Sequence, residues 1–460
     1  MHYISTRGEN AGLGFTGALL AGLARDGGLY TPEAWPALSA DAIASFAGMS
    51  YASVAQSVIA PFVGGDIAPA SLKAMIGAAY KNFRHAAVAP LVQLGDNLFV
   101  LELFHGPTLA FKDAAMQLLG RMMQGALKSG HKRATIIGAT SGDTGAAAIE
   151  AFRGLENVDV FILYPHGRVS DVQRRQMTTV DAPNIHAVAL DGTFDDCQNI
   201  LKALFNHHSF RDEFGLSGVN SINWARIVAQ IVYFFTSAVA LGAPHRKVSF
   251  AVPTGNFGDV FAGYVAWKMG APIARLLVAT NSNDILTRAI DTGVYARGPV
   301  HATMSPAMDI QVASNFERLI FEAHDRDGGR TRDLMAGFAK TGSLEFSHPA
   351  LAHMRGLFAT ASVDEHETLA TVARVFKATG RIVDPHTAVG LAAADRLARP
   401  EETVVTLATA HPAKFPDAIE KAIGQRPSLP SNLQRNLTAP ERYSTLANDA
   451  VALKRQIAER

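Results

Sequence analysis

The chain has 460 residues, with 42 lysines and arginines against 41 aspartates and glutamates, so its formal net charge is +1. This balance excludes a nucleic-acid clamp or a polybasic membrane binder, because both need an excess of positive charge. At about 150 residues per domain, the length predicts two or three domains. Hydrophobic residues make up 48% of the chain, which is enough for large buried cores.

The single cysteine, Cys197, cannot form an internal disulfide or a thiolate metal cage, which favours a reducing compartment and predicts a cytoplasmic protein. The first 15 residues lack the charged head and unbroken apolar run of a signal peptide. The most apolar stretch, residues 231–243, is interrupted by Thr236 and Ser237 and is followed by Pro244. Because it is shorter than the roughly 20 residues of a membrane span, we predict a buried helix.

Residues 98–164 alternate short apolar runs with longer amphipathic stretches. The strand candidates are LFVLELF, ATIIGA and VDVFILY, and the helix candidates are DAAMQLLGRMMQGALKSG and DTGAAAIEAF. Continuous apolar strands that alternate with helices are typical of a parallel sheet covered on both faces. The pattern resumes after Arg246 with KVSFAVP, IARLLVAT and VVTLATA.

The predicted fold class is therefore α/β, with two doubly wound, mostly parallel open-sheet domains. We predict a helical N-terminal extension over residues 1–90, a first α/β domain over 91–242 and a second over 243–460, with the boundary in a Gly-, Pro- and charge-rich segment. Residues 325–329, DRDGG, indicate a surface turn. The last twenty residues indicate a polar helix.

In open parallel sheets ligands bind beyond the carboxyl ends of the strands, so the loops that follow the strands carry the functional candidates. The first such loop is HGPTLAFKD, residues 105–113, where Lys112 lies among apolar residues just before a helix that Asp113 can cap. Apolar surroundings lower the pKa of a lysine and so favour the neutral amine that forms Schiff bases. The alternative is a surface lysine that extends its ammonium into solvent.

The second loop is GATSGDTG, residues 138–145, between a predicted strand and an Ala-rich helix. Small residues at the start of a helix let backbone N–H groups converge on a carboxylate or phosphate. The loop is not a P-loop, because no Lys-Ser/Thr pair follows its last glycine. A tight turn in which Asp143 caps the helix is the alternative.

Two further loops lie in the second predicted domain. PTGNFG, residues 253–258, again suits a bound phosphate, although Asp259 in the same first helical turn would repel a dianion. TAHPAKF, residues 409–415, brings a hydroxyl, an imidazole and an ammonium to the end of one strand. Each of these side chains could equally be a helix cap or a solvated group.

Two other patterns do not support a function. Residues 12–17 match GxGxxG, but no strand precedes them and no βαβ unit surrounds them, so we do not predict a dinucleotide site. His207 and His208 lack the spacing and carboxylate partners of metal ligands. We predict no metal.

Taken together, HGPTLAFKD, GATSGDTG, NSINWAR, PTGNFGD and TAHPAKFPD occur in the order seen in threonine synthases of the longer, bacterial and fungal type. YISTRG near the start and DPHTAVG at 384–390 also resemble this family. The resemblance implies the fold of the tryptophan synthase β-like group, whose cofactor, pyridoxal 5′-phosphate (PLP), lies in the cleft between two α/β domains.

Carried over residue by residue, the resemblance implies that Lys112 binds PLP as a Schiff base. It implies that the cofactor phosphate lies on a loop of four residues and that the hydroxyl of Thr409 contacts the pyridine nitrogen. The loop residues are Gly255, Asn256, Phe257 and Gly258.

The resemblance also implies that the substrate carboxylate binds at Ser141, Gly142, Asp143 and Thr144. Asp143 stands where the wider PLP group usually has asparagine, near the ring oxygen of the cofactor. An ionised carboxylate beside a phenolate is costly, so either Asp143 is protonated or another group, such as Asn223, makes that contact.

The activity implied is conversion of O-phospho-L-homoserine and water to L-threonine and phosphate, by γ-elimination of phosphate and addition of water at Cβ. The substrate phosphate needs cations of its own. Arg226 in NSINWAR and Lys414 in HPAKF are the candidates, because their motifs are predicted to face the cleft and arginine binds phosphate bidentately. Surface ion pairs are the alternative for both.

Several other functions compete with this one. The first is a PLP-dependent serine/threonine dehydratase or phospholyase of the same fold, which would release ammonia and a keto acid. A nicotinamide dehydrogenase and a non-catalytic α/β binding or scaffold protein are the others. By resemblance to the longer-type enzymes we expect a monomer acting on a small molecule, with no nucleic-acid or membrane partner.

Overall fold

The computed structural model describes residues 1–9, 12–130 and 132–460. In chain order the strands are β1 Tyr3–Ser5, β2 Tyr30–Pro32, β3 Leu91–Gln93, β4 Leu98–Glu102, β5 Ala134–Ala139, β6 Val158–Pro165, β7 Ile185–Asp191, β8 Leu216–Gly218, β9 Val248–Pro253, β10 Ile273–Thr280, β11 Val294–Ala296, β12 Ser343–Glu345, β13 Phe358–Ser362, β14 Val404–Ala408 and β15 Ser444–Ala447.

The α-helices are α1 Phe15–Ala21, α2 Ala40–Ala44, α3 Tyr51–Val63, α4 Pro69–Tyr80, α5 Lys112–Ser129, α6 Asp143–Phe152, α7 Asp171–Thr178, α8 Phe194–Asn206, α9 His208–Glu213, α10 Trp224–Ala240, α11 Gly258–Lys268, α12 Ile285–Thr292, α13 Phe316–Ala323, α14 Gly328–Thr341, α15 His348–Arg355, α16 Glu365–Thr379, α17 Pro385–Leu397, α18 Pro416–Ile423, α19 Ser431–Gln434 and α20 Ala450–Ala458. Short 3₁₀ turns span Pro306–Met308, Pro412–Lys414 and Arg435–Leu437.

Two open sheets organise the described residues, as the α/β alternation predicts. One has five strands in the order β15-β7-β6-β5-β8, all parallel. The other has six in the order β13-β10-β9-β14-β4-β3, parallel except for the β3–β4 pair. Strands β5 and β9 are buried along their whole length, because helices cover both faces of each sheet, and this explains their unbroken apolar sequences.

Each sheet also contains strands from outside the residue range predicted for its domain. Strands β3 and β4, at 91–102, pair within the six-stranded sheet, and β15, at 444–447, pairs with β7 in the five-stranded sheet. β15 also corrects the prediction that the last twenty residues are one helix. A four-residue strand with alternating half-buried positions carries too weak a pattern to be recognised in the sequence.

Helix α10 connects the two sheets and is buried along almost its whole length. It contains most of the predicted buried helix at 231–243 and ends at Ala240. The side chain of Asn223 caps its start by accepting a hydrogen bond from the N–H of Ala225, at 3.1 Å. Because α10 packs against α3, α5 and α11, it fixes the starts of two helices that reach the cleft.

The first 80 residues are mainly helical, as predicted, but they also contain the antiparallel pair β1–β2. Strands of three residues are too short to show a recognisable alternation. This region is tied to the segment around α13: Arg7 pairs with Glu317 at 2.8 Å, and Arg318 donates to the carbonyl of Tyr30 through Nε and Nη2, at 3.0 and 2.8 Å.

Within the described residues every helix is too short or too polar to cross a membrane. The carboxyl ends of β5, β9 and β14 lead into loops that meet between the two sheets. The candidate site lies there, at the position expected for open parallel sheets.

Candidate active site

A cavity that is open to solvent lies between the two sheets. Six of the motifs named in the sequence analysis contribute to its wall. Its lining residues include Lys112, Asp143, Thr144, Ser221, Arg226, Gln230, Gly255, Asn256, Phe257, Gly258, Asp259, His386 and Thr409. The folding of the chain therefore brings residues that are up to 300 positions apart into one small space.

Lys112 is the first residue of α5 and is buried. Burial lowers the pKa of its amine; Asp143, 3.5 Å from Nζ, opposes this shift, whereas Lys414 and Arg226 add to it. The Nζ atom also lies 5.0 Å from the centroid of the Phe111 ring. The predicted burial of Lys112 is confirmed and the surface-lysine alternative is wrong, but the surroundings of its amine include charged side chains as well as the ring of Phe111.

The loop before Lys112 is joined to the loop that carries Thr409. The N–H of Phe111 donates to the carbonyl of Thr409 at 2.8 Å, and the N–H of His411 donates to the carbonyl of Leu109 at 3.0 Å. Leu109 has a φ of +63°, a conformation that a leucine rarely adopts. Such strain persists only where surrounding contacts impose it, and here the paired loops fix the start of α5 relative to β14.

Asp143 is held by three donors. The ammonium of Lys414 lies 2.6 Å from its Oδ1, Gln173 donates to the same oxygen at 2.8 Å, and Lys112 lies 3.5 Å from Oδ2. Burial raises the pKa of Asp143, but the two lysines and Gln173 outweigh burial and bring the pKa well below its usual value. These contacts favour the ionised form of Asp143; its protonation state beside a bound cofactor stays a prediction.

The surroundings of Lys414 correct its predicted role. Its side chain is 0% exposed, does not line the cavity and donates to Asp143 and to the carbonyl of Thr108, the latter at 2.9 Å. An ammonium with these two partners is not available to a substrate phosphate. Asn223 is also unavailable for the cofactor ring, since it caps α10 and donates to the carbonyl of Leu19 at 3.0 Å.

The loop before α6 has a fixed shape. The hydroxyl of Thr140 accepts from the N–H groups of Gly142 and Gly145, both at 2.9 Å. Gly142 has a φ of +140°, and a Cβ there would lie 2.5 Å from the side chain of Gln173. The N–H of Gly142 is thus occupied within the protein, which contradicts its predicted contact with a substrate carboxylate. In the described residues, the N–H groups of Ser141, Asp143 and Thr144 have no protein partner.

The loop before α11 presents a second group of donors. Within the part of the chain that the structure describes, the N–H groups of residues 255–259 have no protein partner. A Cβ at Gly255 would lie 2.6 Å from the carbonyl oxygen of Ala307, so no side chain fits there. Phe257 has a φ of +63°. The loop is held by Asn315, whose N–H and side-chain amide donate to the carbonyl of Asn256 at 3.0 and 3.1 Å.

Arg226 is a buried cation in the cavity wall, as predicted. Its Nη1 donates to the carbonyl of Val219 at 3.0 Å, and its Nε is buried without a partner. Burial lowers the pKa of Arg226 to about 10, while Tyr233 and Asp259 oppose this shift. None of the described carboxylates lies within ion-pair distance of the guanidinium, so the surface ion-pair alternative is wrong and an anion can bind there.

Family comparisons agree with this geometry. The model described as "Threonine synthase N terminus" matches residues 2–80, "Pyridoxal-phosphate dependent enzyme" matches 85–336, and "Threonine synthase, C-terminal" matches 387–457. A threonine synthase from Pseudomonas aeruginosa is 52% identical over 451 residues, covering 98% of this chain and 96% of the relative. The chain belongs to the threonine synthase family.

Solved structures place the fold in the same family. PLP-bound threonine synthase from Brucella melitensis is 53% identical, with a TM-score of 0.97 over 100% of this chain and 99% of the other. Threonine synthase from yeast is 38% identical, with a TM-score of 0.94 over 100% and 98%. The predicted fold class and the predicted cofactor, PLP, are confirmed.

The residues of this chain fit PLP. A buried lysine can form the Schiff base, and the unpartnered N–H groups at 255–259 can hold the phosphate at the start of α11. The hydroxyl of Thr409 lines the cavity and has no protein partner in the described residues. The close approach of Gly255 to the carbonyl of Ala307 means that only glycine gives the loop this shape.

The sequence analysis assigns no binding role to four polar residues of the cavity wall, Ser221, Gln230, Asp259 and His386. His386 lies in DPHTAVG; its Nδ1 is 2.7 Å from Asp384, and its Nε2 accepts from the N–H of Ala307 at 3.2 Å. Asp259 was considered only as a charge that repels phosphate. The signal for His386 was its place in a family motif, whereas the partner of Asp259, Tyr233, lies on another helix and leaves no local signal.

Proposed function

We propose that this chain is a threonine synthase that converts O-phospho-L-homoserine and water to L-threonine and inorganic phosphate, the last step of threonine biosynthesis. One observation supports this most strongly. The buried Lys112 shares a cavity with two groups of unpartnered N–H donors, at the starts of α6 and α11, and with the unpaired guanidinium of Arg226. Such a cavity suits a cofactor phosphate, a substrate carboxylate and a substrate phosphate.

We assign Lys112 as the Schiff-base lysine and Thr409 as the partner of the pyridine nitrogen. The cofactor phosphate is assigned to Gly255, Asn256, Phe257 and Gly258. When bound, PLP withdraws electrons from the bonds at the substrate Cα and so makes its proton acidic. The protein contributes the positions of the donors, which the paired loops at Phe111 and Thr409 keep fixed.

The substrate carboxylate is assigned to the loop before α6, through the N–H groups of Ser141, Asp143 and Thr144. Gly142 supports this loop through its positive φ and through the hydrogen bond from its N–H to Thr140, so its N–H is not assigned to the carboxylate. We assign the substrate phosphate to Arg226, because its guanidinium is buried, faces the cavity and lacks a carboxylate partner. Lys414 positions Asp143 and does not contact substrate.

Lys112 is also assigned to move protons. Because burial lowers the pKa of its amine, Nζ can be neutral when it is not bound to the cofactor, and a neutral amine can accept a proton from the substrate Cα and return it later. Asp143, ionised and 3.5 Å away, stabilises the protonated form. Together they allow Nζ to serve alternately as base and as acid.

The resemblance to the longer-type threonine synthases supports a monomer. The chain has one buried cysteine, Cys197, and no described helix spans a membrane. We therefore propose a monomeric cytoplasmic enzyme, with PLP between the five-stranded and six-stranded sheets.

The test is release of phosphate from O-phospho-L-homoserine, with the amino-acid product identified by chromatography. We expect threonine from the wild-type holoenzyme and none from Lys112→Ala. Arg226→Ala is expected to raise KM for the substrate at least about tenfold, equivalent to about 1.4 kcal/mol, with little effect on PLP binding.

Arg133→Ala is the matched control, because Arg133 is 66% exposed and pairs with Asp159 on the surface. Its KM should equal that of the wild type. Release of ammonia and a keto acid without threonine would instead identify a dehydratase or phospholyase and would overturn the proposal.

A further inference from the structure

Asp259 is a buried carboxyl group with one oxygen free. It is the second residue of α11, directly after the loop assigned to the cofactor phosphate, and it is one of the residues that line the cavity. Oδ1 accepts a hydrogen bond from the hydroxyl of Tyr233. Oδ2 is buried and has no partner. With a relative exposure of 7%, the group cannot satisfy that oxygen with bulk solvent.

An unpartnered carboxylate oxygen in this position is unfavourable for two reasons. A buried charge without a partner carries a large desolvation penalty. A dianionic phosphate on the neighbouring N–H groups would also repel it at short range. The charged groups that face Asp259 are Arg226 on α10 and Lys112 on α5, and neither forms an ion pair with it in the described residues.

We propose that Asp259 is a proton-carrying ligand of the cofactor phosphate, which donates a hydrogen bond from a protonated Oδ2 to a phosphate oxygen. The inference rests on the proposed assignment of the phosphate to the loop at 255–258. In the proton balance, one proton passes from water or buffer to Oδ2 when the phosphate binds, and no other bond forms or breaks at the carboxyl group.

The environment of Asp259 makes this proton available near neutral pH. Burial raises the pKa of Asp259 to about 7, although the hydrogen bond from Tyr233 and the charges of Lys112 and Arg226 oppose that shift. A phosphate dianion at the loop adds a negative charge and raises the pKa further. In the phosphate-free protein the carboxyl group of Asp259 is thus largely ionised by pH 8. In the phosphate-bound protein the same carboxyl group is protonated.

The sign of the pH dependence follows from this difference. Because the bound state has the higher pKa, phosphate binding takes up a proton, and affinity falls as pH rises above about 7, by up to tenfold per pH unit. Below that pH the carboxyl group is protonated in both states and affinity does not depend on it.

The experiment titrates the full-length chain, after removal of PLP, with pyridoxine 5′-phosphate between pH 6 and 9. This probe keeps the phosphate but lacks the aldehyde, so Lys112 does not contribute through Schiff-base formation. Calorimetry in two buffers of different ionisation enthalpy counts the protons taken up. Asp259→Asn is the variant to compare, because its amide keeps the shape and donates a hydrogen bond without titrating.

We expect the wild type to take up nearly one proton more than Asp259→Asn at pH 8. We also expect the two affinities to be similar at pH 6 and the wild type to bind about tenfold more weakly at pH 8. Equal proton uptake, or parallel affinity profiles in the two proteins, would show that Asp259 does not carry the proton and would overturn the inference.

A second variant provides an independent check. Tyr233→Phe removes a hydrogen bond that favours the ionised carboxylate of Asp259. The affinity of this variant for pyridoxine 5′-phosphate should therefore begin to fall at a higher pH than that of the wild type. In the wild-type holoenzyme at pH 8, infrared difference spectra against Asp259→Asn should show the C=O stretch of a protonated carboxyl group. A carboxylate band in its place would count against the proposal.

Failure of the underlying phosphate assignment gives a different result. If the loop at 255–258 does not bind the phosphate, pyridoxine and pyridoxine 5′-phosphate bind the wild type with equal affinity. That outcome would overturn both assignments. Discrimination between the two probes, combined with parallel pH profiles, would overturn the role of Asp259 alone.

Discussion

The ammonium of Lys414 lies 2.6 Å from Oδ1 of Asp143, and both groups are buried. Asp143 starts the helix that follows β5 of the five-stranded sheet, and Lys414 follows β14 of the six-stranded sheet. This ion pair therefore joins the two sides of the cleft directly behind the cavity. It also favours the ionised form of the carboxylate next to Lys112.

Lys414→Met should destabilise the protein and disturb the cofactor site. Removing one partner of a buried ion pair costs up to about 3–5 kcal/mol, and the cost here should lie near the lower end because Lys112 and Gln173 still face Asp143. Urea-induced unfolding should show a loss of this size. The PLP absorbance spectrum should also shift, since Asp143 loses its strongest cationic partner.

Asp143→Asn combined with Lys414→Met is the control for this interpretation, because the double variant has neither charge. Its stability should recover part of the loss seen in Lys414→Met. Additive losses in a double-mutant cycle would contradict direct coupling between the two residues.

Thr409→Val should weaken PLP binding without weakening the fold. The hydroxyl of Thr409 has no protein partner in the described residues, and valine has nearly the same shape, so unfolding free energy should change by about 1 kcal/mol or less. Equilibrium dialysis should show weaker PLP retention than in the wild type. Thr409→Ser, which keeps the hydroxyl, should bind PLP like the wild type; equal retention in all three would remove Thr409 from the cofactor site.

Arg318→Met should remove the hydrogen bonds that connect the N-terminal region to the phosphate loop. The buried guanidinium of Arg318 donates to the carbonyls of Tyr30 and Ile222 and to the side chain of Asn315, and Asn315 holds the carbonyl of Asn256. Leaving these acceptors unsatisfied should lower unfolding free energy by at least about 3 kcal/mol. PLP affinity, measured by fluorescence titration, should fall about tenfold, which corresponds to about 1.4 kcal/mol.

Arg133→Ala is again the control variant. It removes the exposed ion pair between Arg133 and Asp159, and this loss should change the free energy of unfolding by less than about 1 kcal/mol. If Arg318→Met loses stability but binds PLP like the wild type, Arg318 stabilises the fold without positioning the loop.

Glu402→Gln should change the dependence of stability on pH. Burial raises the pKa of Glu402, but hydrogen bonds from Arg275 and Ser249 outweigh it and lower the pKa to about 2. Because the folded pKa lies below the unfolded value of 4.5, this carboxylate contributes stability above pH 4.5, which is lost as pH falls toward 2. Thermal unfolding of the variant across this range should show a shallower loss than the wild type; parallel curves would contradict the assignment.

The sequence was sufficient to predict the strands of the two sheets that are continuous and apolar, because β5, β6, β9, β10 and β14 are buried on both faces. It was also sufficient to place Lys112 and Arg226 in the cleft. It did not predict β15, whose pairing with β7 depends on a partner more than 250 residues away. Strand pairing of this kind leaves no local pattern.

Residue roles that depend on tertiary partners were predicted least well. Lys414 lies in a motif that reaches the cleft, but its partners, Asp143 and the carbonyl of Thr108, come from another part of the chain. The N–H of Gly142 belongs to an anion-binding sequence, yet Thr140 occupies it. In both cases the residue type indicates that the group binds a polar or charged partner. In the folded chain that partner comes from the protein itself and not from a bound molecule.

The position of β14 constrains how the protein can be made. β14 lies between β9 and β4, so the six strands cannot form one continuous sheet until residues 404–408 leave the ribosome. Until then β3 and β4, synthesised some 300 residues earlier, have no link to β9, and both fragments present open apolar edges. Such edges are sites of aggregation during synthesis, so a nascent chain that stalls before Val404 would depend on chaperones to remain in solution.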